Sequence, residues 1–157
     1  MILLKVILIL TLLFILYQDI KERQVYWFLF PVVALCIGAL HYFKTIPELF
    51  FMSSFINILF VSCLLLIVFL YIKFKLKIKF SAAFGLGDVL LFFSLAFSFA
   101  SVSFIILLSS ALFFSLVLHL ILNKKHETVP LAGYMSMFFA LTYLGFWSGV
   151  IQSPYKI

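Results

Sequence analysis

Two aspartates in this chain stand where chemistry is a strong reason for a charge. Asp88 closes the string Phe84-Gly85-Leu86-Gly87-Asp88, at the entrance to a long apolar run. Asp19 stands at the end of another apolar run. The sequence has only five carboxylates, and a charge at the centre of a membrane helix costs about 2.5–3.5 kcal/mol on insertion scales. Two carboxylates that share one proton can hydrolyse a peptide bond. The ionised one takes a proton from water, and the protonated one hydrogen-bonds the scissile carbonyl. Like charges a few ångströms apart do not both ionise cheaply, so their titrations split and belong to the pair. The bland alternative is that each Asp caps a helix or sits solvated in a turn. The glycines beside Asp88 carry a mechanical reading. Gly85 and Gly87 permit unusual backbone angles and close approach of another chain. Asp88 itself falls in the first turn of a helix, where the dipole favours a carboxylate.

The elements that must position the pair follow from composition. Of 157 residues, 67% are hydrophobic and 10% charged, so the bulk of the chain belongs in lipid. The expected fold is all-α: a polytopic membrane bundle of about six helices, forming one transmembrane domain over residues 1–157. A crossing helix needs about 20 apolar residues. Span one covers roughly Ile2–Tyr17, and reads as a retained span, since no small-residue cleavage site follows it. Span two covers Val25–Phe43, span three Leu49–Ile72, and span six Pro130–Ile151. The stretch from Val89 to Leu122 holds no acid or lysine. As one helix it would be about 50 Å long, too long for a ~30 Å core. It is therefore read as two spans with a turn near Ala100-Ser101-Val102-Ser103.

Charge orients the bundle. Six spans place Lys21, Arg23, Lys73, Lys75, Lys77, Lys79, Lys124 and Lys125 on one side, against Lys5, Lys44 and Lys156. The richer side is cytoplasmic by the positive-inside rule, with both termini outside. Asp19 then ends span one as it reaches the cytosol, and Asp88 begins span four as it leaves. The two carboxylates share one membrane face.

The remaining polar residues have quieter readings. Cys36 and Cys63 sit in apolar runs without metal-ligand spacing, and no metal or cofactor is expected. His41, His119 and His126 read as structural or interfacial, with His119 the one to watch because it is ionisable within a span. Ser94 and Ser98 read as helix-packing residues. Asn57 reads as a hydrogen-bonding link to a neighbouring helix. Lys73 to Phe80 alternates basic and apolar residues with period two, the pattern of a strand lying on the membrane surface or pairing with an extended peptide. Thr128 ahead of Pro130 reads as the start of the last helix.

These residues resemble the type IV prepilin peptidase family. Asp19-Ile20-Lys21-Glu22-Arg23-Gln24-Val25 looks like that family's first aspartate motif, Phe84-Gly85-Leu86-Gly87-Asp88 like its Gly-x-Gly-Asp motif, and Val129-Pro130-Leu131 is similar in place to its C-terminal proline motif. The resemblance implies a cytoplasm-facing aspartyl endopeptidase of the bacterial inner membrane, with Asp19 and Asp88 as the catalytic dyad and Gly85, Gly87 and Pro130 as motif residues. It implies a prepilin-like substrate, cut after a short basic leader, in a pilus or secretion system. The lipid bilayer is the other partner; no nucleic acid is expected. The chain departs from the family at Val25-Tyr26-Trp27, at Leu90 where a lysine is usual, at Ala132-Gly133, and in lacking a zinc-binding cysteine cluster. No methyl transfer is therefore expected. The rival reading is an inactive homologue that serves membrane assembly or binding.

Overall fold

The computed structural model describes residues 1–76, 85–122 and 129–150. Those residues form six α-helices and a π-helical turn, with no strand among them. The helices are α1 (Ile2–Glu22), α2 (Leu29–Tyr42), α3 (Pro47–Tyr71), α4 (Leu86–Leu95), α5 (Ser101–Leu122) and α6 (Leu131–Trp147). The π turn, Ile72–Leu76, continues α3.

Local sequence explains the boundaries. α1 stops at Arg23, which takes left-handed backbone angles (φ 56°), a common way for a helix to end. α3 opens on Pro47 with Glu48 in its first turn; the proline lacks only an N–H that would have no helical partner, and the carboxylate faces the positive helix end. α4 ends in a tightened turn, where Ala96 N–H reaches both Phe92 O and Phe93 O.

Among the described residues three helical stretches are long and apolar enough to cross a membrane: Ile2–Glu22, Pro47–Lys75 and Ser101–Leu122. The other three are shorter, with 14 residues in α2, 10 in α4 and 17 in α6. This revises the sequence reading in four places. α1 runs on through Glu22, so Asp19 sits inside its last turns rather than beyond its end. α2 starts at Leu29 instead of Val25. The stretch from Val89 to Leu122 does split in two, but at residues 96–100, and α4 at about 15 Å is half a span. Finally, residues 72–76 are helical rather than extended. A helix closes its own backbone hydrogen bonds, whereas a lone strand needs a neighbour. The rest of the alternating stretch, through Phe80, lies outside the described residues.

The core is built from one stripe of each helix. Leu8, Leu12 and Ile15 of α1, Val33, Ile37 and Leu40 of α2, Leu91 and Leu95 of α4, and Phe139 and Tyr143 of α6 are all buried. α6 is buried on nearly every side and packs most extensively on α1 and then α5. The two ends of the bundle are distinct. At one, Lys5 Nζ stands over the Trp147 ring (4.8 Å) and Lys44 Nζ over Phe146 (4.5 Å). That end joins the start of α1, the α2–α3 connection and the finish of α6. The opposite end gathers the finish of α1 with the starts of α2, α4 and α6. Both aspartates are there.

A candidate active site at the start of α6

Pro130 sets the geometry. Its angles (φ −75°, ψ 73°) are those of an inverse γ-turn, and Leu131 N–H donates to Val129 O at 2.9 Å as that turn requires. The proline ring restricts φ to this region in advance. The chain turns sharply there and enters α6.

The first N–H groups of a helix have no partner inside it. Here they are accounted for one by one. Leu131 N–H is taken by Val129 O. Ala132 N–H donates to Asp88 Oδ1 at 2.7 Å. Gly133 N–H donates to Asp19 Oδ2 at 2.6 Å. Tyr134 N–H begins the helical ladder on Pro130 O at 3.1 Å. Two consecutive amides therefore grip two carboxylates carried by two other helices. Both bonds are short, as amide-to-carboxylate bonds are. Consecutive amide nitrogens in a helix lie about 3 Å apart, so the two accepting oxygens, at 2.7 and 2.6 Å from them, are within about 8 Å of each other. Each carboxylate keeps a second oxygen, Asp19 Oδ1 and Asp88 Oδ2, that these two amides do not hold.

The surroundings are shaped by missing side-chain atoms. A Cβ at Gly133 would stand 3.1 Å from both Cβ and Oδ2 of Asp19. One at Gly85 would stand 3.0 Å from Asp88 Oδ2, and one at Gly87 3.4 Å from Phe30 Cζ. Gly85, the residue capping α4, has ordinary extended angles (φ −69°, ψ 140°), and Gly87 lies within the helix. Their use is therefore space, which corrects the expectation of unusual backbone angles.

Burial differs between the two acids. Asp19 is only 8% exposed, and Gln18 beside it is buried too. Gln18 Oε1 accepts the Tyr26 N–H at 3.3 Å, which holds the α1–α2 connection near the site. Asp88 is half-buried. Around them Tyr26, Trp27, Phe28 and Leu86 expose large apolar surfaces, and Lys21 and Arg23 are exposed. Lys21 Nζ donates to Tyr17 Oη at 2.8 Å.

Of the residues expected from sequence, Asp19, Asp88, Gly85 and Pro130 meet at this point, and Gly87 seats α4 against Phe30. Leu90, in the place of a family lysine, is partly exposed on α4. His41 is at the far end, where its Nδ1 donates to Phe97 O at 3.1 Å. His119 Nδ1 is buried and unpartnered on α5. Cys36 is buried and Cys63 exposed, both as free thiols. Glu127, Thr128 and His126 lie outside the described residues. Among the described residues no three His, Cys, Asp or Glu side chains gather as a metal would require.

Sequence reasoning missed the Ala132 and Gly133 amides. The available signal was the small pair directly after Pro130-Leu131, in the first turn of an apolar helix where backbone donors stand open. No family model, curated protein or solved structure matches the chain.

Proposed function

We propose that this protein is a membrane aspartyl endopeptidase with Asp19 and Asp88 as its dyad. The observation that carries the reading is the capture of both carboxylates by adjacent amides of α6. Three segments far apart in sequence converge to hold two acids together, and neither α6 amide occupies more than one oxygen of its acid. One acid activates water, the other hydrogen-bonds the scissile carbonyl, and both amides keep the acids in register.

The bundle is read as six membrane elements with the aspartate end in the cytosol, following the lysine and arginine bias. The exposed Tyr26, Trp27 and Phe28 would sit at the interface beside the dyad, where aromatic rings concentrate. The turn at residues 96–100 is compatible with membrane depth because protein groups satisfy its backbone. The substrate, by resemblance to prepilin peptidases, is a membrane-bound protein cut between a basic leader and its apolar helix. The Lys73 and Lys75 side chains, exposed on the π turn, would rest on anionic headgroups.

The test is leader cleavage in membranes by Asp19→Asn and Asp88→Asn. Asn keeps an oxygen for the α6 amide and cannot act as the acid or base. Each variant should insert normally and lose cleavage by a factor of about 10³ or more, since members of a catalytic unit fail together. Full activity in either variant would remove the dyad. A second reading has its own observation: both carboxylates act as caps of α6, so an inactive membrane-assembly homologue would need them as well. A purified wild-type protein that is inert on prepilin-like leaders, and that co-purifies with a pilus or secretion component, selects that reading.

A further inference from the structure

We infer that Asn57, within α3 and beside the turn that ends α4, is a positioning residue for Asp88. α4 carries Asp88 in its first turn and then runs only ten residues, about 15 Å, before the chain leaves helical form. Apolar packing is non-directional and leaves a short helix free to slide along its axis. Hydrogen bonds fix it. The Asn57 side chain is fully buried on α3, and its Nδ2 donates to Ala96 O and to Phe99 O, each at 3.0 Å. Both carbonyls belong to the turn that ends α4. Among the described residues its Oδ1 finds no donor. A buried Asn with an unpaired oxygen is costly, so the two N–H bonds are what the residue contributes here.

Two further anchors act in the same direction. Ser94 Oγ is 2.9 Å from Phe30 O of α2 and 2.8 Å from Leu90 O, and its single proton serves one of them at a time. His41 Nδ1 holds Phe97 O. α4 is thus tied to α2 and α3 at its far half, and to α6 through Asp88 at its near end. Asn57 alone grips both sides of the terminal turn, at residues 96 and 99. It sets how far α4 extends toward α6 and therefore whether Asp88 Oδ1 meets the Ala132 amide. Gly133, held by Asp19 from α1, does not depend on α4.

This difference gives a readout that needs no activity. Amide exchange at Ala132 and Gly133 should be compared in wild type and Asn57→Leu, reconstituted in bilayers. Neither amide has a helical partner, so each reports its own carboxylate. Ala132 should exchange about tenfold faster in Asn57→Leu while Gly133 stays near the wild-type rate. Asn57→Gln, which keeps both donors on a longer stem, should fall between, and serves if the Leu variant fails to insert. Unchanged exchange at Ala132 overturns the inference, and so does equal acceleration at both amides, which reports general loosening. The consequence for cleavage rests on the dyad reading above: Asn57→Leu should then lower kcat with little change in KM. A wild type without cleavage would sink the dyad and leave the exchange result standing.

Discussion

Replacing Gly133 with alanine sets two effects of opposite sign against each other. By helix propensity alone, the change from Gly to Ala gains about 0.5–1 kcal/mol. The structure predicts a loss. The added Cβ would be 3.1 Å from both Cβ and Oδ2 of Asp19, whereas carbon contacts settle near 3.5–4.0 Å. Asp19 Cβ is fixed to the α1 backbone, so the strain is relieved only by parting α1 from α6, which carries the Asp19 carboxylate with it. The carboxylate must move by a few tenths of an ångström, away from a bond of 2.6 Å. Hydrogen bonds to charged groups contribute about 1.5–3 kcal/mol, so the net change is a destabilisation of about 1–2 kcal/mol. On the dyad reading the kinetic loss is larger, because a displacement of about 1 Å can cost 10²-fold in rate. Cleavage of a leader substrate by Gly133→Ala membranes should fall between about 10- and 100-fold. Gly38→Ala is the control: its Cβ would meet Phe97 Cβ at 3.6 Å, an ordinary contact, and activity should be unchanged. Wild-type cleavage by Gly133→Ala at normal expression would refute the close fit between Asp19 and α6.

Other perturbations test the remaining contacts. Gly85→Ala would bring a Cβ to 3.0 Å from Asp88 Oδ2 and should reduce cleavage about tenfold or more, with insertion intact by protease protection. Ser94→Ala removes the α4-to-α2 hydrogen bond and should lower thermal stability by about 1 kcal/mol, read as a Tm shift in detergent. Gln18→Leu releases the Tyr26 amide; accelerated proteolysis or exchange confined to residues 23–28 is the expected result. If the two acids share a proton, the pH profile of cleavage is bell-shaped. The acid limb marks loss of the ionised base, and the alkaline limb loss of the protonated acid.

The sequence conveyed the helical class because apolar runs punctuated by charges have few other solutions. It conveyed Asp19 and Asp88 because a charge at the margin of such a run is conspicuous. It hid what a run length does not encode. The stretch from Val89 to Leu122 reads as two spans, yet the first, Leu86–Leu95, is a half-length helix, because its end is set by partners on other helices. Asn57 and His41 supply hydrogen bonds to that turn from 39 and 56 residues away, a pairing that no local pattern announces. The glycines were visible, but their purpose was not: the space they leave is defined by Asp88 and Phe30. Gly133 was hidden for the same reason, since only the arrival of Asp19 makes its missing Cβ matter.

The capping of α6 has an evolutionary corollary. Removing either carboxylate side chain strands a backbone N–H at the mouth of a buried helix, at a cost of about 1–3 kcal/mol. If the proposed dyad hydrolyses peptides, a descendant that abandoned that activity would still be selected to keep an acceptor at positions 19 and 88. On the dyad reading the aspartates are held by two separate pressures, one from folding and one from chemistry. Asparagine satisfies the first and fails the second, so a lineage drifting away from catalysis should reach Asn at these positions sooner than Ala.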